Sequence, residues 1–149
     1  MKIKTTSPAA LLLAALCSAP LPALACKPAM APLADYVGNK IPNHVALRGT
    51  IVASRVIGVD HGVTTSASTL RVSQWFGKNE ESSLVLIGST GMDRDTDCAG
   101  VFDFSASPGE EWLIFGQRRD GKVYPDPLLS IRLVDGKIPA HLARQLKKH

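Results

Sequence analysis

From residue 45 onward the chain alternates apolar and polar positions with a period of two. Val45, Leu47, Gly49, Ile51 and Ala53 fall on one side, and Ala46, Arg48, Thr50, Val52 and Ser54 on the other. That is the pattern of a half-buried strand, and a glycine inside it marks a bend or bulge. Residues 69–76 repeat the alternation, with Leu70 and Val72 against Arg71 and Ser73, before the polar run Gly77-Lys78-Asn79-Glu80-Glu81 turns the chain. Leu84-Val85-Leu86-Ile87 is continuously apolar, as in a strand buried on both faces, and residues 88–91 end it. Residues 112–115 (WLIF), bounded by Gly109 and Gly116, predict another buried strand. Arg119-Asp120-Gly121-Lys122 carries the Asp-Gly hairpin signal, and residues 128–134 return as a last strand with Arg132 between Ile131 and Leu133. Residues 58–65 read as a loop holding His61.

Short helices flank the strands. One covers residues 33–40 with Gly38-Asn39 as its stop, and one covers residues 139–148, where Leu142 and Leu146 lie one turn apart. Five or so strands with such helices predict a mainly β fold: a five-stranded, OB-fold-like antiparallel barrel, closed or nearly so. Closure hides strand edges, the chief hazard of a small exported β domain.

The first 25 residues follow another pattern. Lys2 and Lys4 precede an apolar stretch at 9–16 too short to span a bilayer, and Ala23-Leu24-Ala25 supplies the small residues of a cleavage site. Residues 1–25 are thus expected to be a signal peptide. Pro20 and Pro22 break the segment where a core helix would have to continue. Residues 26–149 then form a single domain, since 124 residues bury one sizeable core and not two. The expected location is periplasmic or secreted.

Export sets the redox context. Cys17 leaves with the signal, so Cys26 and Cys98 remain in an oxidising compartment and are most simply read as a disulfide. Closing so long a loop contributes roughly 4 kcal/mol on the chain-entropy account. Without Lys2 and Lys4 the chain carries 15 basic and 13 acidic residues, a net charge of +2. So small and evenly spread a charge argues against a nucleic-acid partner, as does the scarcity of aromatics for base stacking.

Candidate catalytic chemistry is sparse. Asp93-Arg94-Asp95-Thr96-Asp97 spaces carboxylates as a calcium loop does, but the sixth position is Cys98 where glycine is needed. The twelfth is Phe104 where a bidentate glutamate belongs, so an acidic surface loop is the reading. Gly88-Ser89-Thr90-Gly91 lacks the G-x-S-x-G spacing of a nucleophile elbow. Two cysteines and four histidines fall at no recognised metal-ligand spacing. The chain is therefore expected not to be an enzyme and to use no cofactor; a small hydrolase built on His44 or His61 is a minority alternative.

A family resemblance rests on several motifs together: cysteine as first mature residue, the strand LRGTIVAS, the strand TLRVSQWFGK, then C-x-G-x-F-x-F from Cys98 and PGEEWLIFG from Pro108. Over residues 26–117 these resemble the netrin-like domain superfamily, and within it the N-terminal domain of the tissue inhibitors of metalloproteinases. The resemblance implies an OB-type barrel with its N-terminal segment strapped across it by a Cys26–Cys98 bond. It also implies a site. The α-amine and carbonyl of Cys26 would chelate the zinc of a target protease, Lys27 would enter its specificity pocket, and Asp95, Thr96 and Asp97 would form the neighbouring contact loop. The chain departs from the family in having Pro28 where a second early cysteine is usual, and a charged Lys27 where a small or apolar residue is usual.

Cys26 has a rival chemistry. Ala23-Leu24-Ala25-Cys26 is also a permissive lipobox, and a lipidated sulfur could not pair with Cys98. The sequence thus predicts an exported, monomeric protein-binding module that acts as a metalloprotease inhibitor through Cys26, with no membrane contact unless Cys26 is lipidated. The alternative is an envelope lipoprotein or structural adaptor without inhibitory activity.

Overall fold

The structure is a computed structural model, and it describes residues 32–38, 40–91 and 103–147. Elements follow in the order α1 (Leu33–Tyr36), β1 (His44–Asp60), β2 (Val63–Trp75), β3 (Ser83–Gly91), β4 (Glu111–Arg119), β5 (Lys122–Pro125), β6 (Ile131–Arg132) and α2 (Ala140–Leu146). The hydrogen-bonded strand order is β1-β2-β3-β5-β4, and β4 pairs back onto β1. That last pairing closes a five-stranded, OB-fold-like barrel, and β6 adds to β4 at Trp112 and Leu113.

The expected barrel is present, but it is mixed and not wholly antiparallel. β3 and β5 run parallel, Val85 beside Lys122 and Leu86 beside Val123. The cause is local. Asp120 (φ 50°) and Gly121 (φ 73°) make a two-residue hairpin of the kind with two positive φ angles, which folds β5 back along β4. β5 then meets β3 in the parallel sense.

Alternation accounts for the interior. Val45, Leu47 and Ile51 of β1 point inward with Leu70, Leu84, Leu86, Ile114 and Val123, and Phe104 and Ala106 plug one end. The intervening positions are also covered along the β1–β4 pair. Ala46, Leu113 and Phe115 face outward beneath Tyr36, Val37, Leu133 and Leu146, so α1, α2 and the C-terminal turns form a second, smaller core. This double burial explains why residues 112–115 read as continuously apolar. Arg48 is the polar exception on that face: its Nε donates to Glu111 Oε1 at 2.6 Å and its Nη2 to the Gly136 carbonyl at 2.9 Å. Gly49 is the expected irregularity, with a register shift beside it. A Cβ there would lie 2.4 Å from the Arg71 carbonyl oxygen.

Three expected boundaries move. The helix at 33–40 shrinks to four residues, because Val37 is extended and Gly38 takes a positive φ of 75°. The strand at 128–134 shrinks to two. Asp126 Oδ1 accepts from the N–H groups of Leu128 and Leu129, and the Ser130 side chain both accepts from Phe115 N–H and donates to its carbonyl. These bonds hold a turn where a strand was expected. The third change is the largest: the loop expected at 58–65 is a strand, a two-residue turn and a strand.

Candidate functional site

β1 outruns the barrel. Its cover by β4 ends at Ile51, whose N–H donates to the Glu110 carbonyl at 2.9 Å and whose carbonyl accepts from Gly109 N–H at 2.8 Å. Gly109 has a positive φ of 89° and carries the incoming chain away. Glu110 fixes that departure: its Oε2 accepts from Ser107 N–H at 2.9 Å and Trp112 Nε1–H at 3.1 Å, and its Oε1 accepts from Arg132 at 3.0 Å. The Ser107 N–H, followed by Arg132 and Trp112, holds the Glu110 carboxyl below the usual carboxylate range against the opposing effect of burial.

Beyond Ile51, residues 52–60 are all exposed. They run antiparallel to β2 down to Asp60 and Val63, where His61 (φ 47°) and Gly62 (φ 89°) make a second turn with two positive φ angles. β3 backs β2 along the same length, from Arg71 beside Ser83 to Val63 beside Gly91. A three-stranded blade therefore projects from the barrel with β1 at its margin. Among the described residues no strand pairs with the outer edge of residues 52–60.

The exposed stretch is unusually apolar. Val52 is 45% exposed, Ile57 50%, Val56 62% and Val59 70%. Register shifts between Ile51 and Ala53, and between Val56 and Gly58, make Val52 and Ile57 extra residues of β1 relative to β2. Bulges of this kind sharpen twist and re-aim side chains at sheet margins. Ser54 and Ser68 hydroxyls meet at 2.9 Å, tying the blade to the buried end of the barrel.

The two histidines singled out in the sequence lie at opposite ends of β1, which over 17 residues spans roughly 55 Å. His61 sits at the tip with Nε2 3.4 Å from Asp60 Oδ1. His44 lines a cleft of about 280 Å³ with Ile41, Pro42, Asn43, Asn79 and Arg118. Its contacts are the Pro42 carbonyl at 3.4 Å, Gln117 Nε2 at 3.4 Å and the Tyr36 ring at 4.8 Å. None of those partners is a nucleophile or a carboxylate, and Arg118 in the cleft wall is engaged by Glu81.

Cys26, Lys27, Asp95, Thr96, Asp97 and Cys98, the residues predicted to form the contact site and the disulfide, lie outside the described residues. The points from which their segments depart are described. The chain leaves β3 at Gly91 and re-enters at Asp103 alongside it, with Gly91 N–H donating to Asp103 Oδ1 at 3.0 Å and Phe104 N–H to the Ser89 carbonyl at 2.9 Å. Gly91 pairs with Val63, so that departure point is at the blade's tip. Phe104 then seals the barrel, its ring centroid 5.0 Å from that of Trp112 with the planes tilted 58°, and it packs against Gly88, where a Cβ would lie 2.5 Å from the Phe104 carbonyl oxygen.

No family model, curated protein or solved structure matches this chain. The candidate surface therefore rests on the blade itself. The sequence reading missed it because Gly58 and His61-Gly62 look like loop punctuation. The available signal was the β-branched run Val56, Ile57, Val59, Val63, Thr64, Thr65 on either side of that glycine-containing turn.

Proposed function

We propose that this chain is an exported protein-binding module that contacts its partner through the β1–β2 blade. The observation that carries the reading is the run of nine exposed residues, 52–60, with four exposed aliphatic side chains on a margin held by a closed barrel. Contiguous exposed apolar surface marks interaction sites, and a rigid scaffold presenting such a strand lowers the ordering cost of binding. Incorporating a photo-crosslinking residue at Ile57 in the native host tests it. Discrete adducts at Ile57, and none at exposed Lys78, are expected; equal labelling at both would remove the reading.

A second proposal, for a contact site apart from the blade, is that the chain binds a zinc metalloprotease whose zinc is chelated by the backbone of Cys26, with Lys27 and residues 95–97 beside it. The family resemblance and the cleavage-site position of Cys26 support it. The chemistry needs a free α-amine at Cys26 and a Cys26–Cys98 bond. Intact mass with and without reduction and alkylation reports both, and reduction should lower stability by about 4 kcal/mol. Failure of the mature protein to inhibit any zinc protease of its own host would remove the inhibitor proposal. A mass raised by acyl chains would replace it with the lipoprotein reading, which the Ala23-Leu24-Ala25-Cys26 run permits.

A further inference from the structure

The exposed margin of β1 has a pattern that makes it complementary to itself. In the two-residue hairpin the closing residues Asp60 and Val63 face each other as a hydrogen-bonded pair. Alternate residues back along β1 then turn their N–H and C=O groups away from β2: Val59 and, across the extra residue Ile57, Val56 and Ser54. The same parity reaches Ile51, whose N–H and C=O do point away from β2, toward Glu110 and Gly109. Among the described residues, the outward-facing groups of residues 54–59 are thus an unfilled ladder.

A two-fold axis between two regular antiparallel strands pairs residues whose numbers sum to an even value, because paired residues must share the same parity. One extra residue per strand changes that to an odd sum, and Ile57 is such a residue. Placing the axis beside Ile57 and Gly58 sets Val56 opposite Val59 of a second copy, both with outward-facing backbone groups. The same placement sets Arg55 opposite Asp60 of the second copy, on the other face of the sheet from the valines. Both contacts occur twice by symmetry. Arg55 and Asp60 are the charged residues of the 52–60 stretch, they have opposite signs, and both are exposed.

From this register we infer that the partner of the blade is a second copy of this chain, joined edge to edge along residues 55–60 into a continuous six-stranded sheet. The inference rests on the reading of the blade as a protein-contact surface and names its occupant. It replaces the monomer expected from sequence. Pairing buries the exposed Val56 and Val59 against one another, satisfies backbone groups that no described strand pairs, and closes two ion pairs that salt would weaken.

The test is sedimentation equilibrium of the protein isolated from its host, together with Arg55→Glu, Asp60→Lys and the double variant R55E/D60K. The altered side chains are exposed in the single chain, so circular dichroism and the melting temperature of the monomer, taken at dilution, should be unchanged. A reversible dimer is expected. Each single reversal should weaken it about tenfold, and the double reversal should restore it to within about threefold. A chain that stays monomeric to about 1 mM overturns the inference. A dimer indifferent to all three variants overturns it as well. Crosslinking at Ile57 separates the two readings: adducts to a different protein from a monomeric chain remove the self-pairing and keep the contact surface, whereas no adducts remove both.

Discussion

Tyr36 fastens the N-terminal segment to the barrel, and its proton should make that attachment sensitive to alkali. The side chain is buried, meeting Phe115 edge-on at 6.0 Å and His44 at 4.8 Å, and its hydroxyl donates to Asp126 Oδ2 at 3.0 Å. Burial first, then the hydrogen bond to Asp126 and the negative charges of Asp126 and Asp35, raise its pKa well above the ordinary tyrosine value of 10.0. The unfolded chain loses this proton near pH 10, while the folded chain keeps it. Above pH 10 the folded state therefore binds more protons than the unfolded state, and stability must fall as pH rises. The contribution is fully present below pH 10. Its loss amounts to about 1.4 kcal/mol by pH 11, with a limiting slope of about 1.4 kcal/mol per pH unit.

Tyr36→Phe isolates this effect. At neutral pH the variant should be less stable by about 1–3 kcal/mol, because Asp126 Oδ2 loses its donor. Between about pH 9 and about pH 11 it should lose less stability than the parent, so the two curves converge. Urea unfolding followed by the fluorescence of Trp75 and Trp112 measures both curves under the same solvent conditions. Parallel curves over this range would refute the reasoning. So would phenolate absorbance showing Tyr36 ionising near pH 10 in the folded protein.

Other substitutions probe the barrel and its margin. Gly88→Ala should destabilise by about 1–3 kcal/mol, because the new methyl meets the Phe104 backbone, whereas Gly58→Ala, with nothing within 4 Å, should stay within about 0.5 kcal/mol; chemical denaturation compares them. Glu110→Gln should flatten the loss of stability on acidification. The folded carboxylate titrates below its unfolded value of 4.5, so its contribution is present above that pH and vanishes as pH falls through the lowered value. Leu86→Ala, at a fully buried position, should cost about 2–5 kcal/mol, and Val56→Thr, 62% exposed in the single chain, no more than about 0.5 kcal/mol at concentrations where the chain is monomeric.

Strand existence was legible from sequence where burial imposes a period. Val45, Leu47 and Ile51 declared an inner face, Leu84 and Leu86 a buried strand, and Asp120-Gly121 a hairpin, because each pattern follows from local geometry. Strand direction was not legible. The parallel meeting of β3 and β5 depends on β4 returning to β1 through the pairing of residues 44–50 with 111–117, and no local pattern encodes it. The short β6 was overextended because Leu128 and Leu129 look apolar, while Asp126 and Ser130 spend their hydrogen bonds on turning the chain. The residues predicted to contact a partner drew on resemblance, and they fall outside the described residues.

The blade escaped sequence reading for a different reason. Periodicity reports burial, and residues 52–60 alternate against nothing buried, so their strand character survived only as β-branched composition. Apolar side chains with no interior to fill are poorly accounted for by the stability of a monomeric barrel. The barrel's own core is complete with Ile51, Leu70 and Leu86. The pairing of β1 with β4 is complete by Ile51, where Gly109 and Glu110 cap it. The nine further residues carry aliphatics, two bulges and one charge of each sign along a margin that no described strand covers. The proposed self-pairing accounts for these features together, since a second copy supplies both the valines and the opposite charges in a single register.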